Sequence, residues 1–204
     1  MSEGKLPDLG VMLAAHRAFR RDVTTLARAA TRDTLRDPVR RVTVGAGWGV
    51  FRRQLALHHQ AEDARVWPVL RSRLAGRAAL SVLDEMVAEH SLIDPLLAVV
   101  DQAFDDERLP LGDVIGELAS TLGGHLDHEE REALPLIGAT LTAAEWLDVL
   151  ASLEPAPDLG ELVPWLVDGL PPSDAADVLA MFPPALTERY HGEWKPWYDA
   201  VSRW

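Results

Sequence analysis

Two segments of the chain place histidines and acids where an α-helix could present them to one metal ion. In LHHQAEDARVWP (57–68) and in GHLDHEEREALP (124–135), a histidine is followed by acids four and five residues later and by a proline ten residues later. Residues four apart on an α-helix project in nearly the same direction, one turn apart along the axis. Each histidine and its first acid could therefore bind one ion, or the acid could bridge to a second ion.

Two other apolar, helix-like segments each contain a single histidine. A lone histidine on an apolar helix face is usually a buried core or edge residue, and a lone histidine–acid pair is usually an ordinary surface pair. Four helices that each supply a histidine, two of them with an acid, instead match the inward-facing ligands of metal sites in helix bundles. The predicted metal ligands are His16, His58, Glu62, His90, His125 and Glu129.

The available donor atoms restrict which metal could bind. The 204-residue chain contains no cysteine, so its metal ligands must be nitrogen and oxygen atoms, which suit iron, manganese or zinc. The absence of cysteine also excludes disulfides and fits a cytoplasmic location, as does a start that lacks the basic and then apolar form of a signal peptide. No run of eighteen apolar residues is present, so no membrane partner is expected.

The charge of the chain is unevenly distributed. The net charge is −12, yet the residues up to Arg77 are net basic and the remainder is strongly acidic. Clustered arginines can indicate a nucleic-acid surface. Here they occur at helix-surface spacing without an aromatic stacking pattern, and the acidic second half of the molecule can pair with them. We therefore expect no nucleic-acid partner.

Apolar periodicity of the helical kind predicts four long helices that would position the ligands. The breaks between them fall near residues 37–38, 75–76 and 105–110, and the last helix is expected to end at Gly138. Strand signals are nearly absent. Four helices with short connections predict an all-α fold, an up-down-up-down four-helix bundle. The helices are expected at about Leu9–Ala30, Val39–Leu74, Ala78–Phe104 and Leu111–Ile137.

Residues 141–204 differ in composition from the bundle predicted for residues 1–140. They open with Thr142-Ala-Ala-Glu145, which has the form of a capping box before an apolar run, and are then rich in proline and tryptophan. This composition is too apolar for a disordered linker. We predict a C-terminal extension of short helices that either packs against the bundle or lies at a subunit interface, where it would form a homodimer.

The order of these residues resembles the hemerythrin-like, or HHE cation-binding, domain. The resemblance covers roughly residues 9–138 and rests on single histidines in the first and third helices and on the two histidine–acid–proline motifs in the second and fourth. It implies a di-iron site inside a four-helix bundle. The residues at the matching positions are the terminal ligands His16, His58, His90 and His125 and the bridging carboxylates Glu62 and Glu129.

Four further residues leave the ligand set open. In the oxygen-carrying members of the family, the third helix has a second histidine one turn after the first. Here that place is Asp94, which could be a ligand or could leave a coordination position open, the alternative that we favour. The fourth helix of those carriers has its acid five residues after the histidine, which would select Glu130, whereas symmetry with the second helix favours Glu129. His59 and His128 have no counterpart in the repeat, and we expect them to support a ligand or face solvent, with metal binding as the alternative.

The residues and the resemblance together predict a non-haem di-iron protein that binds or reduces small oxidants such as dioxygen, peroxide or nitric oxide. A histidine set smaller than that of the carriers favours reaction over reversible oxygen binding. Two alternatives stay open. One is a di-iron oxidase or oxygenase that acts on a small organic substrate, with the tryptophan-rich extension as a pocket wall, and the other is an iron- or oxygen-sensing regulatory module. The sequence leaves open whether the protein is an enzyme, which would be an oxidoreductase of the peroxidase, catalase or oxygenase kind.

Overall fold

Helices make up all of the regular structure in the described part of the chain, which comprises residues 6–74, 76–106, 108–151, 158–201 and 203–204 of a computed structural model. This confirms the predicted all-α class. The helices are α1 (Gly10–Ala29), α2 (Arg32–Arg36), α3 (Pro38–Ala61), α4 (Trp67–Arg73), α5 (Arg77–Asp105), α6 (Leu111–His128), α7 (Leu134–Thr140), α8 (Ala143–Ala151), α9 (Leu159–Val167), α10 (Pro172–Leu179), α11 (Pro184–Arg189) and α12 (Lys195–Ala200). Consecutive helices are joined by π-helical turns at Glu62–Val66 (α3 to α4), Glu129–Ala133 (α6 to α7) and Tyr190–Trp194 (α11 to α12).

The four predicted long segments begin and end close to their expected positions. They correspond to α1, to α3 with α4, to α5, and to α6 with α7. The second begins at Pro38 because the Asp37 side chain accepts hydrogen bonds from two backbone N–H groups of the first turn, where a proline is also favourable. The prediction that the fourth helix ends at Gly138 is wrong. That helix continues to Thr140, since one glycine costs a helix only about 1 kcal/mol.

The π-helical turns of the described ranges each begin six residues before a proline, namely Pro68, Pro135 or Pro196. Proline has no N–H group, and in an α-helix its ring clashes with the carbonyl group four residues earlier. In each turn the chain instead forms a wider hydrogen bond across five residues, such as that from the Trp67 N–H to the Glu62 carbonyl oxygen. In each repeated sequence the proline thus follows a widened turn that begins at a predicted metal ligand.

The long helices pack around an apolar interior. The α5 helix lies along α6, and α1 lies along both α3 and α6. Large side chains fill this interior, including Phe19, Phe51, Leu55, Ile93 and Leu122. A second buried cluster joins α4, α5 and α7 to α8 and includes Trp67, Leu70, Met86, Ile137 and Trp146. Each large apolar side chain stabilises the fold by roughly 1.5–3 kcal/mol when it is fully buried, so these clusters hold the ligand-bearing helices in register.

The helices of residues 141–204 contact the long helices directly. The α9 helix lies along α1, where the Trp165 Nε1–H donates a hydrogen bond of 2.8 Å to Asp22 Oδ2. Arg21 Nη1 donates a hydrogen bond of 3.0 Å to the carbonyl oxygen of Trp165. The predicted capping box is confirmed at the start of α8, where Thr142 and Glu145 each accept a hydrogen bond from the backbone N–H of the other.

Of the helices in the described ranges, none is by itself long and apolar enough to cross a membrane. The length and composition needed to cross a membrane are reached only when Leu111–Thr140 and Ala143–Ala151 are combined, and these two segments are bent by 109° relative to each other.

Candidate metal centre

Seven side chains form two adjacent groups of potential metal ligands. One group comprises His16, His58, Glu62 and Glu129, and the other comprises His59, His90 and His125. Within each group the ligand atoms lie within 4.8 Å of one another. This spacing is close to that of ligands arranged around one ion at about 2.0–2.2 Å. Each group could therefore hold a metal ion.

The two glutamates lie between the two groups. Glu62 Oε1 is 3.2 Å from His58 Nε2, and Glu62 Oε2 is 3.4 Å from His90 Nε2. Glu129 Oε2 is 3.2 Å from His16 Nε2 and 3.8 Å from His125 Nε2. Each carboxylate thus faces histidines of both groups, which is the position that a bridging ligand requires.

The atoms that face the centre lack hydrogen-bond partners within the described structure. They are five imidazole nitrogens and four carboxylate oxygens: Nε2 of His16, His58, His59, His90 and His125, and both side-chain oxygens of Glu62 and Glu129. A buried polar group left unpartnered costs about 1–3 kcal/mol, and a charged one costs more. Cations would relieve this cost because every one of these atoms can offer a lone pair, so the residues fit a metal centre.

Carboxylates on the outer side of the centre hold four of the five histidines by their Nδ1 atoms. The pairs are His16–Glu130 (2.9 Å), His90–Asp63 (3.1 Å), His125–Glu89 (2.8 Å) and His59–Asp94 (3.4 Å). A carboxylate that accepts a hydrogen bond from Nδ1–H fixes the ring orientation and the tautomer in which Nε2 is free to bind metal. It also makes that nitrogen a stronger ligand.

This arrangement explains why each repeated sequence contains two adjacent acids. The first acid, Glu62 or Glu129, faces the centre. The second acid, Asp63 or Glu130, supports a histidine on a neighbouring helix. Consecutive residues on a helix project about 100° apart, so one acid can reach inward while the next reaches along the surface of the helix.

The two central carboxylates differ in proton affinity. Burial and the nearby Glu129 carboxylate raise the pKa of Glu62 well above its usual range. Burial acts in the same direction on Glu129, but the imidazoles of His16 and His125 outweigh it, so the pKa of Glu129 is lowered. Without metal, Glu62 therefore takes up a proton more readily than Glu129 does.

The histidines also differ in proton affinity. Burial and the neighbouring imidazoles lower the pKa of His58 well below its usual value, and the same causes lower the pKa of His59 to about 2. Burial lowers the pKa of His16 as well, but the carboxylates of Glu129 and Glu130 outweigh it, so the pKa of His16 is raised. Neutral His58 and His59 keep the lone pairs that a metal needs.

The structure brings the six predicted ligands together and adds His59 to them. His59 is buried, and its ring stacks on that of His90 with the centroids 4.0 Å apart. The repeated sequence motif pairs His58 with an acid and gives no role to His59. The periodicity of a single helix does not reveal which neighbouring helices a given side chain faces. The group of His59, His90 and His125 thus draws one histidine each from α3, α5 and α6.

The other three positions that the sequence left open lie outside both ligand groups. Asp94 is 63% exposed and lies at Nδ1 of His59. Glu130 lies at Nδ1 of His16 and accepts a hydrogen bond of 2.7 Å from Arg20 Nη1. His128 is 17% exposed, with its Nδ1 2.7 Å from Glu89 Oε1.

Sequence reasoning missed two of the supporting acids. Asp63 could have been found from the sequence, because it is the second acid of a pair that occurs in both repeated segments. Glu89 directly precedes His90, yet it contacts His125 and His128 on α6. The register of α5 against α6 produces these contacts, and no spacing within one segment encodes that register.

The comparison with protein families agrees with this geometry. The sequence model of the hemerythrin HHE cation-binding domain matches residues 8–137, a range that contains all seven potential ligands. Searches of curated proteins and of solved structures gave no significant match. The family match extends over more than half of the chain and confirms the resemblance seen in the sequence. The chain therefore belongs to the hemerythrin HHE cation-binding domain family.

Proposed function

We propose that the chain is a non-haem di-iron protein that binds or reduces small oxidants such as dioxygen, peroxide or nitric oxide. The observation that carries this proposal is the set of unpartnered, inward-facing donor atoms divided between two histidine groups. Two groups that share two carboxylates favour two ions over one, since two-metal sites hold their ions about 3.5–4 Å apart. Five imidazoles and two carboxylates without sulfur suit iron, with manganese and zinc as the alternatives.

The unequal number of histidines favours one side of the centre as the place where an oxidant binds. His16 and His58 would serve one iron, while the other iron would have three histidines. If both irons have the same coordination number, the iron bound by two histidines has one more open position than the iron bound by three. The pair of ferrous irons would supply the electrons for an oxidant bound there. The sequence argument favoured an open position at the iron of His90, whereas the His59 ring beside His90 supports an open position at the other iron.

The chain's own residues shield and orient this side. The Phe19 ring lies 5.2 Å from the His58 ring, centroid to centroid, and the Trp165 ring lies 5.0 Å beyond it. These aromatic rings cover one side of the two-histidine group. On the outer side, Arg20 holds Glu130, and Glu130 in turn orients His16.

We also propose that the four ligand-bearing segments form an up-down-up-down bundle and that residues 141–204 belong to the same folded unit. The antiparallel connection expected of short loops supports the first part. The hydrogen bonds of Trp165 with Asp22 and Arg21 support the second part.

Metal analysis with matched histidine variants tests the function. Protein purified from iron-replete cells is expected to contain about two irons per chain, and the optical spectrum of its ferrous form should change in air. His59→Ala should lower the iron content towards one per chain. His191→Ala is the control, because His191 is exposed in the extension and lies outside both ligand groups, and it should leave the content unchanged. One metal or none in the unaltered protein contradicts the di-iron proposal, and equal effects of the two variants contradict the ligand assignment.

A further inference from the structure

An apolar cavity of about 140 Å³, partly open to solvent, reaches the two-histidine side of the centre. Its inner end is formed by His58 and Glu62. The bundle contributes Met12 and Phe19 to the walls, and the extension contributes Trp146, Leu150, Leu162 and Trp165. The cavity therefore lies between the family domain and a segment outside the matched range, which ends at residue 137.

The chemistry of the lining determines what this cavity can hold. A trapped water molecule needs two to four polar partners, and an apolar cavity of about 150 Å³ in another protein stays dry and binds benzene. Here the side chains of the described lining that carry polar atoms are Gln54, His58, Glu62 and the two indoles of Trp146 and Trp165, and Trp165 already donates its N–H to Asp22. Gln54 already donates a hydrogen bond of 3.0 Å to Glu161 Oε1. Apart from its inner end, the cavity thus favours an apolar occupant over water.

The outer wall is held in place by directed polar contacts as well as by apolar packing. The α9 part is fixed to α1 by the bond from Trp165 to Asp22, and to α3 by a pair of 2.6 Å between Arg53 Nη2 and Glu161 Oε2. The α8 part begins in the capping box of Thr142 and Glu145 described above. These contacts fix the positions of α8 and α9 beside the cavity.

We infer that this cavity binds one small apolar organic molecule, of about the size of benzene or toluene, with one end beside His58 and Glu62. At that end His58 Nε2 and both oxygens of Glu62 lack hydrogen-bond partners within the described structure. The bound molecule therefore lies next to the proposed oxidant position. Its role as a second reactant rests on the proposed function, whereas its binding does not.

Calorimetric titration of the purified full chain with toluene tests the inference. We expect saturable binding of about one toluene per chain. Leu162→Trp fills the cavity and should weaken binding by about tenfold or more, equivalent to ~1.4 kcal/mol. The matched control is Leu147→Trp on α8, because Leu147 is 63% exposed and does not line the cavity, and it should change affinity by less than about twofold.

Two further measurements keep the outcomes separate. Leu150→Phe fills the cavity with a smaller change, so it replaces Leu162→Trp if circular dichroism shows that the tryptophan variant is unfolded. Iron content measured on the same samples distinguishes the two proposals. Toluene binding without two irons contradicts the proposed function alone. Two irons without saturable toluene binding, or equal weakening by the cavity and control variants, overturns the inference alone.

Discussion

At the scale of single residues, the repeated sequences encode both the ligands and their supports. The inward acid faces the centre, and the adjacent acid contacts a histidine that comes from another helix. The spacing of four residues could be predicted because it is a local property of one helix. The inclusion of His59 could not be predicted in this way. It depends on which helices lie on either side of α3, and that is a property of the tertiary packing.

Removal of a supporting carboxylate should weaken metal binding without removing a ligand. In Asp63→Ala, the Nδ1 of His90 loses its acceptor, so the ring is less firmly oriented and its Nε2 is a weaker ligand. We expect metal affinity to fall about 10–100-fold, measured by competition with a chelator. Asp33→Ala provides the control, because Asp33 is 91% exposed and pairs with Arg36 on α2. An unchanged affinity in Asp63→Ala would show that the support is dispensable.

The metal-free protein should lose stability in acid because of His59. The pKa of His59 is lowered to about 2, so the folded state keeps it neutral while the unfolded state takes up a proton below about pH 6.5. Stability from this group is complete above the unfolded pKa and is lost as pH falls from there towards 2. At about pH 4.5 the loss amounts to about 2–3 kcal/mol.

Urea unfolding of chelator-treated protein checks this expectation. His59→Gln should reduce the loss of unfolding free energy between about pH 7.5 and about pH 4.5. His191→Gln, in the extension, should leave the loss as it is in the unaltered protein. If His59→Gln has the same pH dependence as the unaltered chain, then His59 is not held neutral by the fold.

At the scale of the elements, helix positions could be predicted and the widened turns could not. Periodicity and capping residues are local signals, so α1 and the capping box at Thr142 were expected within a residue or two. The π-helical turns depend on how a proline is accommodated within a continuing helix. A proline can also end or kink a helix, and α5 continues as an α-helix through Pro95. The sequence alone does not distinguish these outcomes.

Two glycines of α3 should respond differently to alanine. Gly45→Ala adds a Cβ atom with nothing within 4 Å, so it should stabilise the helix by about 0.5–1 kcal/mol. At Gly47 the same atom would lie 2.6 Å from the Trp204 ring, so that ring must move and the gain is lost. Thermal unfolding should rank Gly45→Ala as the more stable variant. Equal gains at both positions would mean that Trp204 does not pack on α3.

At the scale of the whole molecule, the uneven charge distribution joins the extension and the later helices to the basic first half. Arg53 pairs with Glu161 of α9, and Arg73 pairs with Glu145 of α8. Arg20 pairs with Glu130 beside the metal centre. The sequence predicted such pairing from composition. Composition did not distinguish packing on the bundle from packing at a subunit interface, because an apolar surface of the extension could be covered in either way.

The hydrogen bond between Trp165 and Asp22 should be a major stabilising contact between the extension and the bundle. Asp22 is buried, and burial raises its pKa despite the opposing effects of Arg21 and Trp165. Trp165→Phe keeps an aromatic ring but removes the N–H donor, so the buried carboxylate loses a partner. The variant should lose about 1–3 kcal/mol of unfolding free energy. Trp197→Phe on α12 is the control, because Trp197 is 57% exposed, and it should lose much less.

The pH dependence of that loss identifies its cause. Without the indole donor the pKa of Asp22 should rise further, so the folded state takes up a proton more readily than the unfolded state does. Protonation removes the cost of the carboxylate oxygen that has lost its donor, since Arg21 contacts only the other oxygen. The difference between Trp165→Phe and the unaltered chain should therefore be small at about pH 4 and should grow as pH rises towards about pH 7. A difference that stays constant over this range would assign the loss to ring packing against Phe19 instead of to the buried carboxylate.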